Sequence, residues 1–287
     1  MVVEKNVRIT ERFCTTTITD STDTTNITQE SSSMLLVIDI GNTNMVMGVY
    51  SGSRLIKDWR LRTERNTTGD EFNIIVTSLF AQGGIRPENI EKTIISCVVP
   101  PMVTILDSFC RKYLGRAPHW VDAARYSGMP NHYRNPGDVG ADRIVNAVAA
   151  YRKYQKSLIV IDFGTATTFD IISEKGEYLG GAISPGIMIA SEALFMKASR
   201  LPRVEIFAPP TEVIGRDTAA SIQSGIIFGY AGLVDGMVAR IKHEMGTDPK
   251  VIATGGLAEL IRNVSDTIEA VEPLLTLEGL RIIAEDF

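Results

Sequence analysis

The sequence predicts an α/β fold in which one strand-turn-strand unit occurs twice. Two apolar runs each end in aspartate and then turn. The first is Leu35-Leu36-Val37-Ile38-Asp39-Ile40-Gly41-Asn42-Thr43-Asn44, the second Leu158-Ile159-Val160-Ile161-Asp162-Phe163-Gly164-Thr165-Ala166-Thr167-Thr168. Each reads as a buried strand, a tight turn and a second strand, at 45–50 after the first and 169–173 after the second. A glycine lets the backbone approach a ligand, and successive turn amides with Thr or Asn side chains line a concavity that suits phosphate. An acid at the strand end suits a metal ion or a metal-bound water. One Asp-x-Gly turn is an ordinary strand ending; the repetition is the signal.

The rest of the chain from Leu35 alternates strand and helix patterns. Strands are expected at 35–40, 45–50, 55–61 and 92–99, with a helix near 70–82 whose first turn carries Asp70 and Glu71. Pro100 cannot continue the strand before it, and a helix over about 101–114 follows. Residues 126–142 are rich in Gly, Pro and Asn and read as a long loop of the kind that serves function. A helix over about 141–154 leads into the second Asp-Gly unit. Gly180-Gly181 reads as a loop passing close to a ligand or a helix, followed by helices near 186–198 and 217–244 and a strand at 251–253. Residues 1–33 form a Thr- and Ser-rich head without the apolar core of a signal peptide; disorder is expected there, and Met34 stands as an alternative start. The lobes are then expected at 34–147 and 148–287.

Composition narrows the function. The 287 residues are 44% hydrophobic and 22% charged, as in ordinary globular proteins, and are ample for a core. A net charge of −5, with no basic run, argues against a nucleic-acid partner. Cys14, Cys97 and Cys110 fit neither a disulfide framework nor a zinc motif, which points to a reducing cytoplasm; His119, His132 and His243 are too scattered to be ligands. No apolar stretch near 18 residues is apparent, so no membrane span is expected.

Three further segments carry candidate chemistry. No Gly-x-x-x-x-Gly-Lys-Ser/Thr sequence occurs, which disfavours a P-loop kinase. Thr254-Gly255-Gly256 follows a strand, and its glycines could lie against a base or ribose or simply make a strand-to-helix turn. In Gly137-Asp138-Val139-Gly140-Ala141-Asp142-Arg143, Asp142 and Arg143 read either as a helix cap and a surface charge or as a working pair. In the second case the carboxylate accepts a hydroxyl proton, and the guanidinium fork holds an anionic substrate.

Taken together, Asp39-Ile-Gly-Asn-Thr-Asn44, Ser96-Cys-Val-Val-Pro100, Gly140-Ala-Asp-Arg143, Asp162-Phe-Gly-Thr-Ala-Thr-Thr168, Gly180-Gly-Ala-Ile-Ser-Pro-Gly186, Ile214-Gly-Arg-Asp-Thr218 and Thr254-Gly-Gly256 closely resemble the type III pantothenate kinases, bacterial enzymes that commit pantothenate to coenzyme A synthesis. The resemblance runs from about Met34 to the C-terminus. It implies a two-lobed actin-like, ribonuclease H-like ATPase fold with duplicated mixed-sheet domains, and a homodimer with the pantothenate pocket at its interface. It assigns the phosphates and divalent metal (Mg2+) of ATP to Asp39, Gly41, Asn42, Thr43 and Asn44 in the first turn, and phosphates to Gly164 and Thr165 to Thr168, including Thr167, in the second. Asp142 becomes the general base and Arg143 the group that binds the pantothenate carboxylate, with Gly140, Ala141, Tyr133 and Thr218 shaping the pocket. Asp162 ligates a monovalent cation, K+ or NH4+, and Gly255 and Gly256 face adenosine.

Three alternative readings fit the residues less well. A sugar kinase of the same superfamily would leave Arg143 without an anion to bind. A transcriptional accessory factor, which the family also resembles, would not need the full set of acids. For a filament-forming ATPase the chain is too short to hold the extra subdomains.

Overall fold

The computed structural model describes residues 33–287. The disordered head expected over 1–33 therefore lies outside the described residues, Ser33 excepted, as does Cys14. In chain order the elements are β1 (Met34–Ile40), β2 (Asn44–Ser51), β3 (Arg54–Arg62), α1 (Gly69–Gln82), β4 (Ile90–Cys97), α2 (Pro100–Tyr113), β5 (His119–Trp120), α3 (Ala141–Tyr154), β6 (Leu158–Phe163), β7 (Ala166–Ile172), β8 (Tyr178–Pro185), α4 (Ile187–Lys197), α5 (Thr218–Met245), β9 (Lys250–Gly255), α6 (Ala258–Arg262), β10 (Ala270–Val271) and α7 (Leu275–Ile283).

The strands form two five-stranded sheets, ordered β3-β2-β1-β4-β5 and β8-β7-β6-β9-β10, and the two orders match position for position. So do the directions. β1 runs antiparallel to β2 and parallel to β4, as β6 runs antiparallel to β7 and parallel to β9. This is a duplicated mixed sheet, the two-lobed actin-like and ribonuclease H-like plan. Register places the acids in equivalent positions: Asp39 lies opposite Val46 and Ser96, Asp162 opposite Thr168 and Thr254. Both sit at strand ends where a parallel partner also stops, the usual place for a ligand in an open α/β sheet.

Both faces of each sheet are covered, which is why the central strands read as unbroken apolar runs. Val37 and Ile94 of the first sheet and Val160 and Ile252 of the second share one core with Ile144 and Val148 of α3 and Leu277, Leu280 and Ile283 of α7. The outer face of the first sheet packs Leu36, Ile38 and Ile95 on Phe72 and Phe80 of α1 and Phe109 of α2. The outer face of the second packs Ile159, Ile161 and Val251 on Ile227 and Val234 of α5 and Ile261 of α6. Each fully buried Leu or Ile contributes about 1.5–3 kcal/mol, so the shared α3–α7 layer ties the two sheets firmly. The expected lobe boundary at 147/148 falls inside α3, a single continuous helix.

Local chemistry sets the element ends. Thr68 caps α1 by accepting from Glu71 N, while Glu71 reaches back to Thr68 N at 2.8 Å, a reciprocal capping box. Pro100 starts α2 at a position where its missing N–H costs nothing, so β4 stops at Cys97, short of the expected residue 99. Two expectations need correction. Gly180 and Gly181 lie inside the edge strand β8, not in a loop; their lack of side chains hid a strand whose register with β7 continues through both. Also, α5 contains an 18-residue window of mean hydropathy 1.3 and is long and apolar enough to cross a membrane by length and composition alone. The sequence reading missed it because Gly, Ser and Gln interrupt the run; Ile227, Tyr230, Val234 and Val238 send its apolar stripe into the core of the second lobe.

Candidate active site

The two Asp-led turns meet. Thr43 Oγ1 in the first and Thr165 Oγ1 in the second lie 3.0 Å apart, a hydrogen bond that joins the two lobes at their ligand-binding ends. Each turn is closed by its own backbone: Gly41 N donates to Asn44 O and Gly164 N to Ala166 O, both at 3.0 Å. Thr63 braces the first turn by donating to Gly41 O at 2.7 Å, and Arg65 holds the Asn42 side-chain oxygen at 3.0 Å. Asn42, Thr43, Asn44, Gly164 and Thr165 are exposed, with polar groups free to face a ligand, whereas Thr167 is wholly buried.

Beneath the turns lie the acids. Burial and the charge of Asp142 push the Asp39 and Asp162 carboxyls up to about 7 from 3.8. Burial also raises Asp142, offset by a hydrogen bond from Arg143 N to Asp142 Oδ1 at 2.8 Å and by the Arg143 charge. Asp142 occupies the first turn of α3, where the helix dipole favours an anion, and a side chain at Gly140 would collide with its carboxylate. Asp162 is oriented by a relay: Thr276 of α7 donates to Asn146 Oδ1 at 2.7 Å, and Asn146 Nδ2 donates to Asp162 Oδ2 at 3.2 Å. Gly255 is required by the same carboxylate. Its φ is +93°, and a Cβ would stand 2.6 Å from Asp162 Oδ1. Gly256 beside it opens onto free space.

The cleft has the chemistry of a cation site. Asp39 Oδ1, Ser96 Oγ and Thr167 Oγ1 are buried without a hydrogen-bond partner, a condition that normally calls for a water or an ion. Among the described residues no three His, Cys, Asp or Glu side chains group closely enough to cage a metal alone. That fits Mg2+, which keeps waters and substrate phosphates as ligands and takes only one or two carboxylates from protein.

Arg143 is buried, and Gly140, Ala141 and Asp142 adjoin it at the start of α3. Its Nε donates to Asp170 Oδ1 at 2.7 Å, so the free fork expected for an anionic substrate is already half engaged. Tyr133 stands over this group, its ring 6.4 Å from that of Tyr178. Thr218 is not brought in: it is exposed at the start of α5 and shares no hydrogen bond with any residue of the group. Asp170, Asn146, Thr276 and Arg65 carry no local signal in the sequence, because their partners lie 16 to 130 residues away in the chain. A cavity of about 610 Å³ lies elsewhere, lined by Tyr50, Leu55, Arg152, Lys153 and Arg281. Arg152 is ten residues along α3 from Asp142, roughly 15 Å.

Duplicated sheets with Asp-led turns that meet beside half-buried acids define an actin-like phosphotransferase or ATPase. Solved structures agree on the fold. A Campylobacter jejuni protein described as a Baf family transcriptional activator superposes with a TM-score of 0.55 at 21% identity, covering 88% of this chain and 98% of that one. A Sinorhizobium meliloti protein described as a 2-dehydro-3-deoxygalactonokinase also gives 0.55, at 13% identity and the same coverage. The family model for type III pantothenate kinase matches residues 35–240. Type III pantothenate kinases from Desulfatibacillum aliphaticivorans and Geobacter sulfurreducens are 68% identical over 250 residues and 55% identical over 252. These alignments cover 87% and 88% of this chain and 97% and 98% of the relatives. The chain belongs to the type III pantothenate kinase family.

Proposed function

We propose that the cleft performs the reaction its family is named for, transferring the γ-phosphoryl group of ATP to the primary hydroxyl of pantothenate, the first step of coenzyme A biosynthesis. The observation that carries the reading is the 3.0 Å Thr43–Thr165 link, which sets the two turns side by side, with three half-buried, mutually repelling acids close by. In this reading Asn42, Thr43, Asn44, Gly164 and Thr165 grip the phosphates, Thr167 is too deeply buried to share that expected role, and Gly255 and Gly256 face adenosine. Asp142 takes the hydroxyl proton as the acceptor oxygen bonds to phosphorus and the bond to the bridging oxygen of ADP breaks. Arg143, with Gly140, Ala141 and Tyr133, seats the pantothenate carboxylate. Asp39 and Asp162 would hold the cations, Mg2+ on the ATP side and K+ or NH4+ beside Asp162. These ions supply neutralisation of the phosphate charge, the largest need of phosphoryl transfer. The two sheets, joined through the continuous α3, act as the two jaws, and the reaction belongs in the cytoplasm.

The decisive assay couples ADP release to pantothenate and to a panel of hexoses, with Mg2+ and K+ present. ADP should appear with pantothenate alone and slow when K+ is withdrawn; release with a hexose but not with pantothenate overturns the reading in favour of a sugar kinase. An inert binding protein would release none with either.

A homodimer is part of the same proposal. Among the described residues, nine of the fifteen exposed large apolar side chains lie between residues 183 and 214, among them Ile183, Met188, Phe195, Met196, Phe207 and Ile214. They fall on β8, the open edge of its sheet, on α4 and on the segment before α5. Such a concentration on one stretch is the kind of surface a second copy of the chain would cover. Sedimentation should show a dimer that Ile214→Asp shifts toward monomer; a monomeric wild type removes the idea.

A further inference from the structure

We infer that Asp170 is a positioning residue for the acceptor, fixing Arg143 so that one end of its guanidinium alone is left for an anion; this rests on the reading of Arg143 as the carboxylate-binding group. Asp170 lies in the middle of β7 and has no exposed surface. Its carboxylate nonetheless accepts three hydrogen bonds from three different elements. Arg143 Nε of α3 and the Tyr178 hydroxyl of β8 each donate to Oδ1 at 2.7 Å, and Thr168 Oγ1 of β7 donates to Oδ2 at 3.2 Å. Arg143 Nη2 donates to Phe169 O at 3.4 Å, while Nη1 donates to nothing among the described residues. The guanidinium carbon lies 6.0 Å from the centre of the Tyr178 ring. Any side chain at Gly181 would collide with both Arg143 Nη2 and Phe169 O, so the slot admits the guanidinium because β8 carries a glycine there.

A buried ion pair is weak evidence for stability, since apolar residues of the same volume often serve as well. What this pair provides is orientation. A guanidinium held on its Nε side by a carboxylate that is itself held by a hydroxyl cannot rotate, and Nη1 is its remaining unengaged end. Charge-assisted hydrogen bonds are geometrically demanding, so an anion meeting a fixed donor gains more than one meeting a mobile donor.

The test separates binding of the charged acceptor from binding of its shape. The KM for pantothenate and the Ki of its neutral primary amide are measured for the wild type, Asp170→Asn and Tyr178→Phe. In Asp170→Asn the KM should rise about tenfold while the Ki moves less than about twofold, since only the anion uses the fixed guanidinium. Tyr178→Phe should shift the KM in the same direction by a smaller factor, and it decides the matter if Asp170→Asn fails to fold. A merely structural role would move KM and Ki together, and that result, or no change in either variant, overturns the inference. Arg143→Met serves as the reference. If it leaves the KM-to-Ki ratio unchanged, the assignment of Arg143 itself is wrong; if it collapses the ratio while the other two variants do not, only the role of Asp170 falls.

Discussion

Asp142→Asn should lower turnover by about 10²–10⁴-fold, the usual contribution of a positioned general base, and leave ATP binding in place. Asparagine keeps the shape of the side chain and its Oδ1, so the hydrogen bond from Arg143 N at 2.8 Å survives and the start of α3 is not disturbed. What disappears is the group able to accept a proton. The two Asp-led turns share no hydrogen bond with Asp142, and their mutual link at Thr43–Thr165 is untouched. Loss of a negative charge beside Asp39 and Asp162 also eases the repulsion among the acids, so Mg·ATP should bind as well as in the wild type or better. Steady-state ADP release gives the first quantity and titration calorimetry with ATP the second. A variant that keeps more than about a tenth of wild-type turnover would show that the hydroxyl is activated by its setting alone, through proximity to the phosphorus. A variant that loses ATP binding as well would place Asp142 among the nucleotide ligands.

Much of this site was legible in the sequence because its signals are local. An apolar run, an aspartate, a glycine and hydroxyl side chains fit within ten residues, and both copies fold into the expected strand-turn-strand. α3 also spans 141–154 as expected, because Gly140 before it and an apolar stripe along it are readable without knowledge of distant partners. What stayed hidden depends on distance along the chain. Asp170 sits between Phe169 and Ile171 in an apolar strand and gains its meaning only when Arg143 and Tyr178 arrive from other elements. The Thr276–Asn146–Asp162 relay spans 130 residues in its longer step. α7 has no side-chain cap and follows a proline-containing turn, so nothing marks its start, although its buried Leu277, Leu280 and Ile283 complete the central core. β8 was masked by its glycines, whose space is used by Arg143 and Tyr133 rather than by a loop.

Asp39→Asn should stabilise the ligand-free protein above neutral pH while abolishing its turnover. In the fold Asp39 and Asp162 titrate near 7, against 3.8 for a free carboxyl. Between those values the folded chain holds protons that the unfolded chain has already released. Stability therefore falls as pH rises from about 4 to about 7 and levels off above, a cost on the order of a few kcal/mol for the coupled pair. Asparagine at position 39 stays neutral throughout, so it removes the part of the slope that belongs to Asp39. The wild type should thus melt at a lower temperature at pH 8 than at pH 5.5, and the variant should lose much of that difference. Mg·ATP acts in the opposite sense, since a cation beside the ionised acids favours the folded state by mass action. Its addition at pH 8 should raise the wild-type melting temperature more than that of Asp39→Asn. A wild type whose melting temperature is the same at both pH values would mean that the acids are already neutralised without ligand. Equal stabilisation of both proteins by Mg·ATP would mean that Asp39 is not the carboxylate that meets the metal.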